Sequence, residues 1–204
     1  MIVTAIKPVT KTKFKIYLDD KAAFVLYKGE MERFHIREGS ELAPEHVLRI
    51  KQDCLLKRAK LRALHLLNVM DRTEDGLRKK LRENQYPEDV IEQAIQYVKG
   101  FGYIDDLRYA KQYVSSRQMK KSKREIQIEM QQKGLDREVI ACALEECYSE
   151  GGEEDAIRRV LEKKRYCAET ATDKEKKKIF DYLMRKGFSY EDIRQVIQVS
   201  HWNA

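Results

Sequence analysis

Ser122-Lys123-Arg124-Glu125-Ile126-Gln127-Ile128-Glu129-Met130-Gln131-Gln132-Lys133-Gly134-Leu135 is the stretch that decides how this chain folds. Ser122 with Glu125 forms a capping-box pair, which satisfies free amides at a helix start. Ile126 and Met130 stand four apart, on one helix face. Gly134 falls where a helix ends in a left-handed residue. The pattern occurs again earlier. Thr73 aligns with Ser122, Leu77 with Ile126, Leu81 with Met130, Tyr86 with Leu135, Val90 with Val139 and Ala94 with Ala143, all at an offset of 49. There Asp71 or Thr73 is the cap, and Asn84-Gln85 stands at the helix end, where Asn tolerates the left-handed conformation. A third copy runs from the Thr172–Glu175 capping box through Leu183, Gly187 and Phe188 to Ile193 and Ile197, with small insertions. A preceding helix belongs to each copy, over 59–70, 106–118 and 153–164. The spacing therefore predicts three tandem three-helix repeats. Such units stack on their neighbours and predict an elongated curved solenoid.

The first 40 residues read differently. Phe14, Ile16 and Leu18 alternate with polar neighbours, the period-2 pattern of a half-buried strand. Asp19-Asp20-Lys21 reads as a turn, Ala23 to Tyr27 as the returning strand and Ile2 to Ile6 as a third. So small a β module does not stand alone. The expected organisation is a β module over 1–42 and repeats over 43–105, 106–151 and 152–204, in a mainly α protein.

Composition narrows the function. Of 204 residues 37% are charged and 42% hydrophobic, too polar for a compact enzyme with one large core. No run of 18 apolar residues occurs, so no membrane span is expected. The N-terminus lacks a basic segment followed by an apolar core, which predicts a cytosolic protein. Cys54, Cys142, Cys147 and Cys167 form no Cys-x-x-Cys pair, and the four histidines are scattered. Neither a metal site nor a disulfide framework is expected. Gly100-Phe101-Gly102 follows a helix, so it is no dinucleotide turn, and no phosphate loop or nucleophile elbow occurs. No cofactor and no catalysis are expected.

Charge points to an anionic partner. Lys and Arg number 41 against 34 Asp and Glu, a net charge of +7. From Leu107 to Arg124 there are seven basic residues and no acidic one; from Asp136 to Asp155 there are eight acidic residues and one basic. A solvated helix interleaves its signs, so this segregation predicts a phosphate-facing role for the basic run. The candidate contacts are Arg108, Lys111, Arg117, Lys120, Lys121, Lys123 and Arg124 in the second repeat, Arg78, Lys79 and Arg82 in the first, and Arg158 and Arg159 in the third. Asp105 and Asp106 read as helix-start residues, and Tyr109 and Tyr113 as packing residues.

Four segments also carry a family resemblance. They are Arg72-Thr73-Glu74 with Leu77 and Leu81, Gly102-Tyr103-Ile104-Asp105-Asp106 with Tyr109-Ala110, Lys123 to Leu135 with its Ile126, Glu129, Met130 and Lys133-Gly134, and Lys186-Gly187-Phe188-Ser189-Tyr190-Glu191-Asp192-Ile193. Over about residues 55 to 200 the chain resembles the RecX family of recombinase regulators. Gly76 stands where the family has Glu, and the first 40 residues resemble the extension of its longer members. The resemblance implies a non-enzymatic protein that binds the RecA–single-stranded DNA filament along its groove and limits ATP hydrolysis and filament growth. The partners it implies are the RecA filament and the single-stranded DNA within it, with weaker binding to free DNA and no membrane. A monomer is expected, its ends capped by the β module and Ile193 to Trp202. The alternatives are a stand-alone nucleic-acid-binding helical protein, which needs grouped base-reading side chains, and a structural adaptor.

Overall fold

The computed structural model describes residues 1–149 and 151–197; Glu150 and Gln198 to Ala204, including Trp202, lie outside the described residues. Three strands come first: β1 (Val3–Pro8), β2 (Lys13–Leu18) and β3 (Lys21–Tyr27). They form an antiparallel sheet in the order β1-β2-β3. Leu18 pairs with Lys21, so Asp19 and Asp20 make a two-residue hairpin turn. Both have positive φ, 47° and 63°, the conformation a twisted hairpin requires. The returning strand therefore starts two residues before the expected Ala23.

The helices are α1 (Lys28–Arg33), α2 (Pro44–Ile50), α3 (Lys57–Val69), α4 (Glu74–Glu83), α5 (Glu88–Gly100), α6 (Asp106–Arg117), α7 (Lys123–Gln132), α8 (Arg137–Cys147), α9 (Gly152–Lys163), α10 (Asp173–Arg185) and α11 (Tyr190–Ile197). A π-helical segment, Lys51–Leu56, joins α2 to α3 without a break. Pro44 opens this run at a first-turn position, where its missing N–H is harmless.

The chain divides into two compact units, Met1–Asp105 and Asp106–Ala204. In the first, Ile16, Phe24 and Leu26 of the sheet share one core with Ile50, Ala59, Leu77, Leu81 and Ile91. Three strands alone cannot bury an apolar face, and the first repeat covers it. Arg58 of α3 fastens this packing: it pairs with Glu30, donates to the Val25 carbonyl at 2.9 Å and lies over the Tyr27 and Tyr86 rings. In the second unit each repeat has its own core. Ile126, Met130, Ile140 and Ala143 centre one, and Ile157, Leu183, Phe188 and Ile193 the other.

The repeat shows in the helix ends. Thr73, Ser122 and Thr172 each accept the amide of the third helical residue, at 3.0, 3.0 and 3.4 Å. The capping box is reciprocal at Thr172. At Ser122 it runs one way, because Glu125 turns to Lys121 at 3.2 Å and Lys186 at 3.3 Å. Each middle helix then closes in a Schellman turn. The amides of Tyr86, Leu135 and Phe188 reach back to the carbonyls of Leu81, Met130 and Leu183, and each pair belongs to one apolar cluster. Gly134 and Gly187 are left-handed as expected; in the first copy it is Gln85, at φ 61°, that takes this conformation rather than Asn84.

Arg78 braces the first repeat. Its guanidinium holds Glu92 at 2.7 Å and Glu74 at 3.0 Å. Lys99 and Arg78 hold the Glu74 carboxyl below the usual carboxylate range, and Arg78 does the same for Glu92. Carboxyls with lowered folded pKa stabilise above their unfolded value of about 4.3, and the contribution goes as pH falls through the folded values. Arg78→Met should therefore cost about 1 kcal/mol at neutral pH. Thermal melts should show the gap from the parent closing as the pH drops below the carboxylate range.

Candidate nucleic-acid interface

The turn between α6 and α7 is fastened by the end of its own repeat and by the third repeat. The amide and hydroxyl of Ser149 donate to the Gln118 side chain at 3.1 and 3.3 Å. Ser122, fully buried, accepts the Glu125 amide and donates its hydroxyl to the Lys186 carbonyl at 2.8 Å. The Lys123 amide donates to Glu153 at 2.8 Å. This carboxylate faces the start of α7, where negative charge is favourable; burial raises the Glu153 pKa. The helix start thus has an acidic partner that sequence proximity does not reveal, 30 residues on.

On this frame Arg117, Lys120, Lys123 and Arg124 are exposed. None forms an ion pair among the described residues. Arg117 lies over the Tyr113 ring at 5.4 Å, and Lys123 stands 6.0 Å from the Tyr148 ring. Lys121 differs from its neighbours. It is half-buried and pairs with Glu125 and Glu129, so it braces α7. Tyr113 packs against the second core, donates to Glu129 at 2.8 Å and stacks on Tyr109 with ring centroids 6.2 Å apart.

Most of the other candidate cations have partners. Besides Arg78, Lys79 pairs with Asp75 at 2.7 Å and Arg82 with Glu88 through two bonds of 2.7 and 2.8 Å. Lys111 holds Glu146 at 2.6 Å, so part of the basic run is neutralised by the acidic block rather than segregated from it. Arg158 pairs with Glu154 and Asp155. Arg108 and Arg159 are exposed on α6 and α9.

A second group escaped the sequence reading. Lys163, Lys164, Arg165, Lys178 and Arg185 line a cleft of about 570 Å³ in the third repeat. The runs Lys163-Lys164-Arg165 and Lys176-Lys177-Lys178 were its visible signal. No cluster of three or more metal-liganding side chains occurs among the described residues, and none of their helices is long and apolar enough to cross a membrane.

Fold and site together define a tandem three-helix-repeat protein that presents unpaired cations at helix ends. Family models for the first, second and third three-helix domains of RecX match residues 59–97, 105–144 and 152–197. The regulatory protein RecX of Clostridioides difficile (strain 630) is 31% identical over 189 residues, 91% of this chain and 88% of that one. That of Caldanaerobacter subterraneus subsp. tengcongensis is 29% identical over 201 residues, 98% of this chain and 100% of that one. A crystal structure of regulatory protein RecX superposes with a TM-score of 0.65 at 27% identity, covering 97% of this chain and 98% of that one. RecX from Lactobacillus salivarius gives 0.61 at 28% identity, covering 70% and 94%. The chain belongs to the RecX family of regulatory proteins.

Proposed function

We propose that the chain regulates a RecA recombinase by lying along the groove of the RecA–single-stranded DNA filament, where it inhibits ATP hydrolysis and filament growth. The observation that carries this reading is the unpaired corner of Arg117, Lys120, Lys123 and Arg124. Exposed cations held at a braced helix start, with no carboxylate on their side chains, suit phosphates or an acidic surface. The paired cations Arg78, Lys79, Arg82, Lys111, Lys121 and Arg158 serve first as braces of the repeats. Arg108 and Arg159 stand as further contacts.

The regulator carries out no chemistry of its own and needs no cofactor. It acts as a monomer, which light scattering of the free protein tests; a stable dimer at micromolar concentration would refute it. Recombinase, single-stranded DNA and ATP supply the functional test. Added protein should lower DNA-dependent ATP hydrolysis in proportion to filament occupancy, and alone should release no phosphate. Unchanged hydrolysis on filaments that demonstrably carry the protein would remove the inhibitory reading.

A further inference from the structure

The 570 Å³ cleft between the C-terminal end of α9 and α10 adjoins a depression of about 630 Å³ between α7 and α10. Both are lined by Tyr182 and Arg185, and the depression also by Arg124 and by Glu125 and Glu129, whose carboxylates Lys121 and Lys186 hold. The corner of the second repeat therefore leads into the third along one surface. We propose that single-stranded nucleic acid follows this surface from the corner into the cleft, its backbone phosphates seated among Lys164, Arg165, Lys178 and Arg185. The proposal rests on the reading of the corner given above.

Three features support a strand. First, none of the cleft's cations forms an ion pair among the described residues. The one carboxylate of the lining, Glu175, faces its own helix cap, accepting the Thr172 amide at 2.9 Å and hydroxyl at 2.8 Å. The cleft thus holds net positive charge. Second, Tyr182 stands where cleft and depression meet, with the Lys164 ammonium 4.1 Å from its ring centroid. An aromatic ring beside exposed cations is a pairing that single strands use, bases stacking while phosphates take the charges. Third, Arg165 occupies the left-handed position after α9, at φ 53°, where glycine is preferred. A strained arginine at the mouth of a cationic cleft is a placement that stability alone does not favour.

Cys167 lines the cleft and its thiol is exposed. Hydrogen bonds from the Thr170 hydroxyl and from the Glu169 and Thr170 amides lower its pKa, so it reacts readily with iodoacetamide and reports on the cleft. The full chain is alkylated with and without oligothymidylate, and the Cys167 and Cys142 peptides are followed by mass. At DNA about ten times the dissociation constant, alkylation of Cys167 should slow about tenfold, with Cys142 unchanged. Lys164→Gln with Lys178→Gln, both exposed positions, should abolish the protection and lower the salt slope of binding by about 1.4, roughly 0.7 for each phosphate contact. A Cys167 alkylated equally fast with bound oligonucleotide overturns the proposal. So does tripolyphosphate that protects as well at equal phosphate concentration, since the cleft would then take a free anion. A variant of Lys120, Lys123 and Arg124 separates the two readings. If it binds like the parent while the cleft variant does not, the corner reading fails and the cleft stands. If the corner variant loses binding and the cleft variant keeps both affinity and salt slope, the cleft fails and the corner stands.

Discussion

Changing Lys120, Lys123 and Arg124 together to Gln should weaken filament binding by about tenfold to a hundredfold, at up to about 1 kcal/mol for each exposed charge. The slope of log affinity against log salt should flatten by about 2 units, roughly 0.7 for each phosphate left without its cation. Folding should be unaffected or slightly improved. Lys123 and Arg124 lie in the first turn of α7, where cations oppose the helix dipole by about 0.3–1 kcal/mol each. All three side chains are exposed, so the change to Gln removes charge and little packing. Lys121→Gln should behave in the opposite way. Its ammonium pairs with Glu125 and Glu129, so its removal should lower the melting temperature and leave the salt slope unchanged. Titrating both variants onto filaments at several salt concentrations, with melts in parallel, checks the contrast. A parental salt slope in the triple variant would make this corner a solvated one.

The largest stability effect should come from Ser122→Ala. Ser122 caps α7 and donates to the Lys186 carbonyl from a fully buried position. The cap contributes about 1 kcal/mol, and leaving the Lys186 carbonyl, which meets the fully buried Ser122 side chain, without its donor costs about 1–3 kcal/mol. Together, about 2–4 kcal/mol should lower the melting temperature of the second unit by roughly 10 °C or more. Thr172→Ala removes an exposed cap of the same kind and should cost only about 1 kcal/mol. Gly187→Ala tests the other side of the contact. At φ +85° a Cβ there would also lie 3.0 Å from Ser122 Oγ and 3.3 Å from Arg124 Cβ. At Gly102, φ +71°, nothing comes within 4 Å. The first substitution should therefore destabilise more than the second, which carries only the left-handed cost of about 1–2 kcal/mol. Equal melting temperatures for Ser122→Ala and Thr172→Ala would show that the bond to Lys186 contributes nothing.

What the sequence disclosed was local. Caps at Thr73, Ser122 and Thr172 and left-handed glycines at 134 and 187 are set by a few adjacent residues, so their recurrence marked out the repeats. The hairpin at Asp19-Asp20 was visible for the same reason. Where a position had two local solutions, tertiary neighbours chose. Glu125 forms no reciprocal box because Lys186, 61 residues on, competes for it. Gln85 takes the left-handed position because α4 ends at Glu83, which makes Asn84 its C-cap.

The site was less legible, because charge neutralisation is a property of pairs. Arg78 meets Glu92 across a turn, and Lys111 meets Glu146 from α8. Neither pairing follows from the spacing of charges along one helix, so a count of basic residues overstates what is free to meet a partner. The third-repeat cleft was hidden for a related reason. Lys163-Lys164-Arg165 ends a helix, where cations read as partners of the dipole. Only the fold brings them beside Lys178 and Arg185.

The proposed target is a filament rather than bare DNA. Co-sedimentation with preformed RecA filaments, with bare single-stranded DNA and with free recombinase tests it most directly. The protein should pellet with filaments at concentrations where it leaves bare DNA and free recombinase largely unbound. Equal affinity for bare DNA and for filament would contradict it and leave a stand-alone nucleic-acid-binding protein.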